Sequence, residues 1–161
     1  VFKIPEPFIP KTGARIMSLN MPDAKMSKSI PEGCVYLMEK PEDIQRKFKR
    51  AITDSDTENC VRFDPENKPG VANLMNIYAA VTGKTFEEIE SEFAGMGYGA
   101  FKPKVGEAVI ETLRPIREES QRLMKDKAYL EGVYRDGAQK ASYVAEKTLR
   151  KVYKKVGFLA K

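Results

Sequence analysis

The sequence has no histidine and only two cysteines, Cys34 and Cys60, among its 161 residues. Because the cysteines form no CxxC pair and no imidazole accompanies them, the ligand spacing of a structural zinc site is missing. Two isolated thiols also provide no disulfide framework, which favours a reducing compartment, and we therefore expect a cytoplasmic protein. No apolar run approaches the roughly 18–20 residues that span a bilayer, so we expect no membrane segment.

The 28 Lys and Arg residues outnumber the 23 Asp and Glu residues and give a net charge of +5. This modest excess is compatible with a polyanionic partner but does not require one. The high charged fraction is typical of a soluble, largely helical protein with one domain, or with one domain and a piece of another. The sequence starts at Val1 without a signal-peptide pattern, and we expect that it begins inside a longer protein.

Residues 2–13 carry three prolines and end in Gly13, a composition that predicts an irregular segment. Residues 14–19 then alternate apolar and polar side chains, which predicts a short strand. Residues 20–23 predict a turn after that strand. A strand that leads into a polar loop is a common arrangement at the edge of a parallel α/β sheet, so we expect the rest of such a sheet to precede Val1.

Residues 25–29 have the sequence Lys-Met-Ser-Lys-Ser. Their two ammonium groups and two hydroxyl groups suit an oligophosphate, because lysine supplies a point charge on a flexible stem and serine supplies directional hydrogen bonds. The segment contains no glycine, so it is not the phosphate loop of GxxxxGK[ST] proteins. The simpler interpretation is a solvated basic loop ahead of a helix.

The pattern becomes helical at Pro41, where a proline at the first position and two acidic residues are typical of a helix start. Ile44, Phe48 and Ile52 share one face of this predicted helix. Its outer face is basic and carries Arg46, Lys47, Lys49 and Arg50. We therefore expect a helix with one buried face and one cationic face.

Residues 71–82 predict a buried helix that ends at Gly83. Thr85 begins a capping-box pattern for a short helix that continues to Phe93. Residues 95–100 match GxGxx[GA], but a nucleotide-binding turn of that type follows a strand, whereas this one follows a capped helix. We interpret it as a connector.

Asp54, Asp56 and Glu58 resemble the start of a calcium-binding loop. However, Asn59 stands where such a loop needs a glycine, and Pro65 stands where it needs a bidentate glutamate. We therefore predict no metal site in this segment.

Two longer helices are predicted for the remainder of the chain. The apolar stripe of the first consists of Val105, Val109, Leu113, Ile116, Ser120 and Leu123. The stripe of the second consists of Leu130, Val133, Tyr134, Ala138, Ala141, Ala145, Leu149, Val152, Tyr153 and Val156, and Gly157 ends that helix. The polar face of the second carries Lys140, Lys147, Arg150, Lys151, Lys154 and Lys155.

The segment at residues 25–29 resembles the KMSKS signature of class I aminoacyl-tRNA synthetases. Its flank at residues 13–19 is similar to that of the bacterial-type tryptophanyl enzymes. Further similar segments follow in the usual order of that family, at residues 5–7, 50–55, 68–70, 97–99 and 151–158. The tyrosyl enzymes share the signature, but their tail commonly carries an additional RNA-binding domain, which these 161 residues do not show, so we expect the tryptophanyl type.

The resemblance implies the C-terminal part of a tryptophanyl-tRNA synthetase with a mostly α fold. Residues 1–40 would form the edge of a Rossmann-type nucleotide-binding domain, and residues 41–161 would form a helical domain that binds the tRNA anticodon region. The implied reaction is activation of tryptophan with ATP and Mg²⁺, followed by transfer to tRNA(Trp). The resemblance also implies that the complete enzyme is a homodimer and works without a membrane.

The resemblance also implies roles for six residues of the predicted ATP site. Lys25 and Lys28 would be catalytic, holding the β- and γ-phosphates and stabilising the charge of the departing pyrophosphate. Ser27 and Ser29 would add hydrogen bonds to the phosphates. Met26 and Ile16 would contact the adenosine.

Two departures from the family bear on the activity that we expect of this chain. The histidine-containing second signature of the family cannot be present, because the chain has no histidine. The tryptophan pocket also lies earlier in the family's sequence than the segments matched here. We therefore expect the 161-residue chain by itself to form no aminoacyl-adenylate.

Three other functions are compatible with the sequence. The alternatives are a free-standing helical RNA-binding module, the equivalent part of a tyrosyl enzyme, or a helical domain that binds another protein.

Overall fold

The computed structural model describes residues 1–10, 12–57 and 60–159. Within this described part there are five α-helices, and they confirm the predicted mostly α class. They are α1 (Pro41–Arg50), α2 (Pro69–Thr82), α3 (Phe86–Glu92), α4 (Tyr98–Leu123) and α5 (Lys127–Val156), with a 3₁₀ turn at Pro31–Gly33. Glu58 and Asn59, two residues of the segment that was compared with a calcium-binding loop, lie outside the described residues. None of the described helices combines the length and hydrophobicity that crossing a bilayer requires.

The chain divides into two compact units. The first, Ile9–Arg117, contains α1, α2, α3 and most of α4 around one apolar core. The largest fully buried side chains of this core are Phe48, Phe101, Ile44, Leu74, Met75 and Ile89. The second unit consists of Val1–Phe8 together with the end of α4 and α5.

Helix α2 ends, and helix α3 begins, where the local sequence predicts it. Gly83 takes a left-handed conformation with φ of 75° and its N–H donates to the Ala79 carbonyl, so the glycine ends α2. The capping box at the start of α3 is present in both directions. The Glu88 N–H donates to Thr85 Oγ1 at 3.3 Å, and the Thr85 N–H donates to Glu88 Oε2 at 2.8 Å.

Helix α1 confirms two of its three predicted core positions. Ile44 and Phe48 are buried, but the prediction for Ile52 is wrong, since its side chain is 50% exposed. The helix ends at Arg50, and the chain becomes extended at Ala51. Because of this change the helical spacing no longer applies to Ile52, whose N–H donates to the Leu19 carbonyl at 2.8 Å.

The apolar stripe predicted for α5 is present, but the prediction that it faces a core is wrong. No described side chain of α5 is buried, and Val133, Tyr134, Leu149 and Val156 are exposed. The same error affects Ile116 on α4, which is exposed, whereas Val105 and Val109 are buried as predicted. The periodicity of a sequence shows which face of a helix is apolar, but it does not show that another element covers that face.

The short strand predicted over residues 14–19 is also wrong. The described residues contain no strand, and this segment has only one isolated antiparallel bridge, between Met17 and Lys25. A strand needs a neighbouring strand to satisfy its backbone groups. Here the polar side chain of Asn73 on α2 takes that place beside Met17.

Candidate functional site

Residues 16–26 fold back on themselves as a narrow hairpin-like loop. The Ser18 N–H donates to the Ala24 carbonyl at 2.8 Å, and the Met26 N–H donates to the Ile16 carbonyl at 3.0 Å. The Ala24 N–H closes the turn by donating to the Met21 carbonyl at 2.9 Å. These bonds bring the two predicted adenosine contacts, Ile16 and Met26, next to each other.

The base of the hairpin is fixed to the core of its unit. Asn73, which is 4% exposed, accepts a hydrogen bond from the Met17 N–H at 2.8 Å and donates one to the Met17 carbonyl at 2.9 Å. The Leu19 N–H donates to the Gly33 carbonyl at 3.0 Å. The close approach favours a glycine at Gly33, because a Cβ there would overlap the side chains of Ser18 and Asn20 unless these moved. The hairpin therefore rises from an anchored base.

The structure brings all six predicted site residues together on this hairpin and the turn after it. Ile16 and Met26 are half-buried and pack against the core. Lys25, Lys28 and Ser29 are exposed. Ser27 Oγ accepts a hydrogen bond from the Ser29 N–H at 3.3 Å, which shapes the turn between the two lysines. Ile16 and Met26 thus contact the core with part of their side chains and leave the rest accessible, and the two lysines face solvent.

The second lysine of the loop has a support that the sequence did not indicate. The Tyr36 hydroxyl donates a hydrogen bond to the Lys28 carbonyl at 2.9 Å. Tyr36 is itself held by Glu39, which accepts from the Tyr36 N–H at 3.2 Å and pairs with Lys47 at 2.6 Å. No motif marks Tyr36, and only the folded structure brings it beside the loop.

Lys47 does not belong to the outer basic face of α1 to which the sequence pattern assigned it. Its Nζ donates to the Cys34 carbonyl at 2.6 Å and lies 5.3 Å from the centre of the Tyr36 ring. The side chain is therefore occupied in bracing the segment that follows the loop.

The two lysines of the loop are available to an anionic ligand. Within the described chain neither Lys25 nor Lys28 makes an ion pair, so no carboxylate neutralises them. An exposed ammonium group without a partner can accept a phosphate with little loss of existing contacts. The described residues also contain no cluster of His, Cys, Asp or Glu side chains that could hold a metal ion.

A second charged cluster lies between α1 and α2 and was missed by the sequence analysis. Lys68 is 3% exposed, and its Nζ contacts Asp54 and Asp56, each at 2.9 Å. The Tyr98 hydroxyl accepts from Lys68 at 3.0 Å and donates to Asp54 at 2.7 Å. Asp54 and Asp56, two of the carboxylates that resembled calcium ligands, therefore bind an internal lysine instead.

This cluster shifts the pKa values of its members in directions that favour the ion pair. Partial burial by itself raises the pKa of Asp54, but hydrogen bonds from Lys68 and Tyr98 outweigh burial and hold it at about 2. Burial by itself lowers the pKa of Lys68, but its bonds to Tyr98, Asp56 and Asp54 outweigh burial and raise it. Burial raises the pKa of Tyr98 to about 12, so its hydroxyl keeps its proton at neutral pH.

Comparison with known proteins relates this fold and loop to one family. Residues 1–114 match the family model described as tRNA synthetases class I (W and Y). The chain is 53% identical over 160 residues to the tryptophan–tRNA ligase of Clostridium tetani, and the match covers 98% of this chain and 46% of that protein. The chain therefore spans about half the length of that relative.

Solved structures that resemble this chain come from the same family. The tryptophanyl-tRNA synthetase of Mycoplasma pneumoniae is similar with a TM-score of 0.79 and 27% identity, over 93% of this chain and 45% of that one. The enzyme of Campylobacter jejuni, solved in complex with ADP and tryptophan, is similar with a TM-score of 0.65 and 25% identity, over 89% of this chain and 44% of that one. On the family match and these likenesses, the chain belongs to the class I tRNA synthetases of the tryptophan and tyrosine group.

Proposed function

We propose that this chain is part of a cytoplasmic tryptophan–tRNA ligase that joins tryptophan to tRNA(Trp) at the expense of ATP. In this proposal residues 1–40 belong to the edge of the nucleotide-binding domain, and residues 41–161 form the domain that meets the anticodon region of the tRNA. The complete enzyme acts as a homodimer, and tryptophan binds to a part of it that this chain does not contain.

The proposal rests on the ammonium groups of Lys25 and Lys28, which lie on an anchored hairpin and make no ion pair with any residue that the structure describes. Formation of an aminoacyl-adenylate releases pyrophosphate, and negative charge develops on it in the transition state. Two lysines that are already in position stabilise that charge without reorganisation. Ser27 and Ser29 supply additional hydrogen bonds, while Ile16 and Met26 offer apolar and backbone contacts to the adenosine.

The loop fits an ATP molecule that arrives with its own Mg²⁺. Residues 25–29 contain cations and hydroxyls but no carboxylate, so they offer the metal no anionic oxygen ligand. The phosphate oxygens would hold the ion, and the ion would add Lewis-acid stabilisation of the phosphates. The lysines of this chain would hold the remaining phosphate charge.

The experiment uses a chimaera in which this chain replaces the segment that it matches in the Clostridium tetani ligase. Tryptophan-dependent ATP–pyrophosphate exchange is measured, since this reaction needs no tRNA. We expect Lys25→Ala and Lys28→Ala each to lower kcat by roughly 10²–10³-fold, the loss typical for removal of one transition-state donor. Lys40→Ala, which removes an exposed lysine outside the loop, is the control and should leave exchange unchanged.

Undiminished exchange in the Lys25→Ala/Lys28→Ala double variant would contradict the proposal. The separate expectation that the isolated chain forms no adenylate is tested with the same assay on the 161-residue protein. Measurable exchange by that protein would refute this expectation.

A further inference from the structure

Helices α1 and α4 form the walls of a shallow groove within the unit Ile9–Arg117. The groove has a volume of about 260 Å³ and is lined by Lys49, Tyr98, Gly99, Lys102 and Pro103. Together these five residues make up the α1/α4 groove. Lys49 comes from α1 and the other residues come from the first two turns of α4.

Close packing of the two helices fixes the positions of the groove lysines. Gly106 of α4 lies against α1, where an added Cβ would be 3.2 Å from the Phe48 Cβ. Gln45 of α1 donates a hydrogen bond to the Pro103 carbonyl at 3.2 Å. Lys49 is one helical turn from Gln45, and Lys102 adjoins Pro103. The two cationic side chains therefore lie on one surface as a consequence of core packing.

The positive charge of the groove is not neutralised within the described chain. Neither Lys49 nor Lys102 makes an ion pair there. Asp54, whose charge acts on Lys102, is already bound by Lys68 and Tyr98. Lys102 is half-buried beside the Tyr98 ring, with its Nζ 5.7 Å from the ring centre. Burial lowers the pKa of Lys102, and the charge of Asp54 offsets this effect only in part.

The cationic surface continues along α1 beyond the groove. The next depression is lined by Glu42, Gln45, Arg46, Lys49 and Arg50. Arg46 pairs with Asp43 at 2.6 Å, whereas Arg50 makes no ion pair in the described chain. Lys49 lines both depressions, so the cations form a continuous row that suits an extended polyanion better than a single small anion.

We infer that the α1/α4 groove receives a backbone phosphate of the bound tRNA, with Lys49 and Lys102 as its ligands. The inference rests on the proposed function and adds to it the surface on which the RNA lies. A half-buried ammonium group without a carboxylate is stabilised by an incoming phosphate. The contact positions the RNA and reads no base, because lysine acts on the phosphate as a point charge.

The test is the salt dependence of tRNA binding by the 161-residue chain. Each phosphate contact that is lost should reduce the slope of log K against log salt concentration by about 1. We expect this reduction for Lys49→Ala and for Lys102→Ala, and about twice the reduction for the double variant. Lys104→Ala is the matched control on the same helix, because Lys104 is exposed and pairs with Glu107 at 3.1 Å.

A variant that fills the groove tests the site without removing a lysine. A Cβ added at Gly99 meets no heavy atom within 4 Å, so the fold accommodates a side chain there. Gly99→Glu should weaken tRNA binding by more than tenfold at low salt, and Gly99→Ala should weaken it less. The helical circular dichroism of both variants should match that of the wild-type chain.

Two results would overturn the inference. One is absence of tRNA binding by the wild-type chain at low salt. The other is an unchanged salt slope in the Lys49→Ala/Lys102→Ala variant together with unchanged binding by Gly99→Glu. Exchange by the chimaera, and its loss in the Lys25→Ala/Lys28→Ala variant, test the proposed function separately, since that reaction needs no tRNA. Normal exchange together with either of these two results would therefore reject the groove and leave the proposed function intact.

Discussion

The side-chain amide of Asn73 hydrogen-bonds both backbone polar groups of Met17, as a neighbouring strand would. This single side chain from α2 satisfies the donor and the acceptor of a residue that precedes the lysine loop by eight positions. The relationship connects the buried core of the unit to the position of Lys25, which forms a backbone bridge with Met17. The orientation of the loop therefore depends on a residue distant from it in sequence.

Replacement of Asn73 by alanine should reduce the free energy of unfolding by about 2–3 kcal/mol, because two hydrogen bonds are lost and the Met17 backbone groups remain without partners. Urea denaturation of the 161-residue chain measures this change. Asn76→Ala is the control on the same helix, because no hydrogen bond of the Asn76 side chain is present in the described structure. Equal stabilities of the two variants would show that the Asn73 bonds contribute nothing.

Tyr36→Phe should affect the loop more than the fold. The variant keeps the ring beside Lys47 and removes only the hydroxyl that holds the Lys28 carbonyl. Since this hydrogen bond is exposed, we expect the free energy of unfolding to fall by less than about 1 kcal/mol. In the chimaera, kcat of pyrophosphate exchange should fall several-fold while KM for tryptophan stays constant, because the looser Lys28 acts on the transition state.

Tyr143→Phe is the control for the Tyr36 variant, because Tyr143 is 71% exposed on α5. If Tyr36→Phe and Tyr143→Phe show the same kcat, Tyr36 does not position the loop. A rise in KM for tryptophan would also argue against a role limited to Lys28.

The Asp54–Lys68 ion pair should make the free energy of unfolding depend on pH in the acid range. The carboxyl of Asp54 has an ordinary pKa of 3.8 when the chain is unfolded and a pKa of about 2 in the folded protein. As the pH falls through this window the unfolded chain binds the proton first, so acid favours unfolding. The stabilisation is present above about pH 4 and should be lost progressively towards pH 2.

The measurement is the urea midpoint at pH values across that window, for the wild-type chain and for Asp54→Asn. We expect the variant to be less stable at neutral pH, because Lys68 loses a charged partner, and to show a shallower fall in acid. Parallel pH profiles for the two proteins would mean that Asp54 does not carry the effect.

Local signals in the sequence predicted the parts of the fold that short-range contacts determine. Gly83 ends α2, and Thr85 and Glu88 form the capping box of α3, because these bonds join residues only a few positions apart. The loop at residues 25–29 was equally visible, since the spacing of its lysines is a property of the chain itself. Such features need no knowledge of the remaining structure.

The features that sequence reasoning missed depend on contacts between distant residues. No local pattern indicates that Lys68 is buried, because its partners lie 14 positions before it at Asp54 and 30 positions after it at Tyr98. Asn73 lies 56 positions from Met17, and no pattern in α2 marks it. The error at the apolar stripe of α5 is of a different kind. Its helical periodicity is present in the sequence, but the described structure supplies no element that buries it.

Gly70 and Gly99 occupy the same position, the second residue, in α2 and α4, yet the same substitution should have opposite effects there. A Cβ at Gly70 would overlap the carbonyl oxygen of Ile52. That backbone cannot withdraw easily, because the Ile52 N–H is bonded to Leu19. We therefore expect Gly70→Ala to lower the free energy of unfolding by about 1–3 kcal/mol through overpacking.

At Gly99 the added methyl group meets open space, and alanine is the better helix former. Gly99→Ala should therefore raise the free energy of unfolding by up to about 1 kcal/mol. Both glycines belong to the unit Ile9–Arg117, so one urea titration monitored by circular dichroism compares them directly. A stabilised Gly70→Ala variant would show that the Ile52 carbonyl can move, and the close approach of α2 to the end of α1 would then not need a glycine.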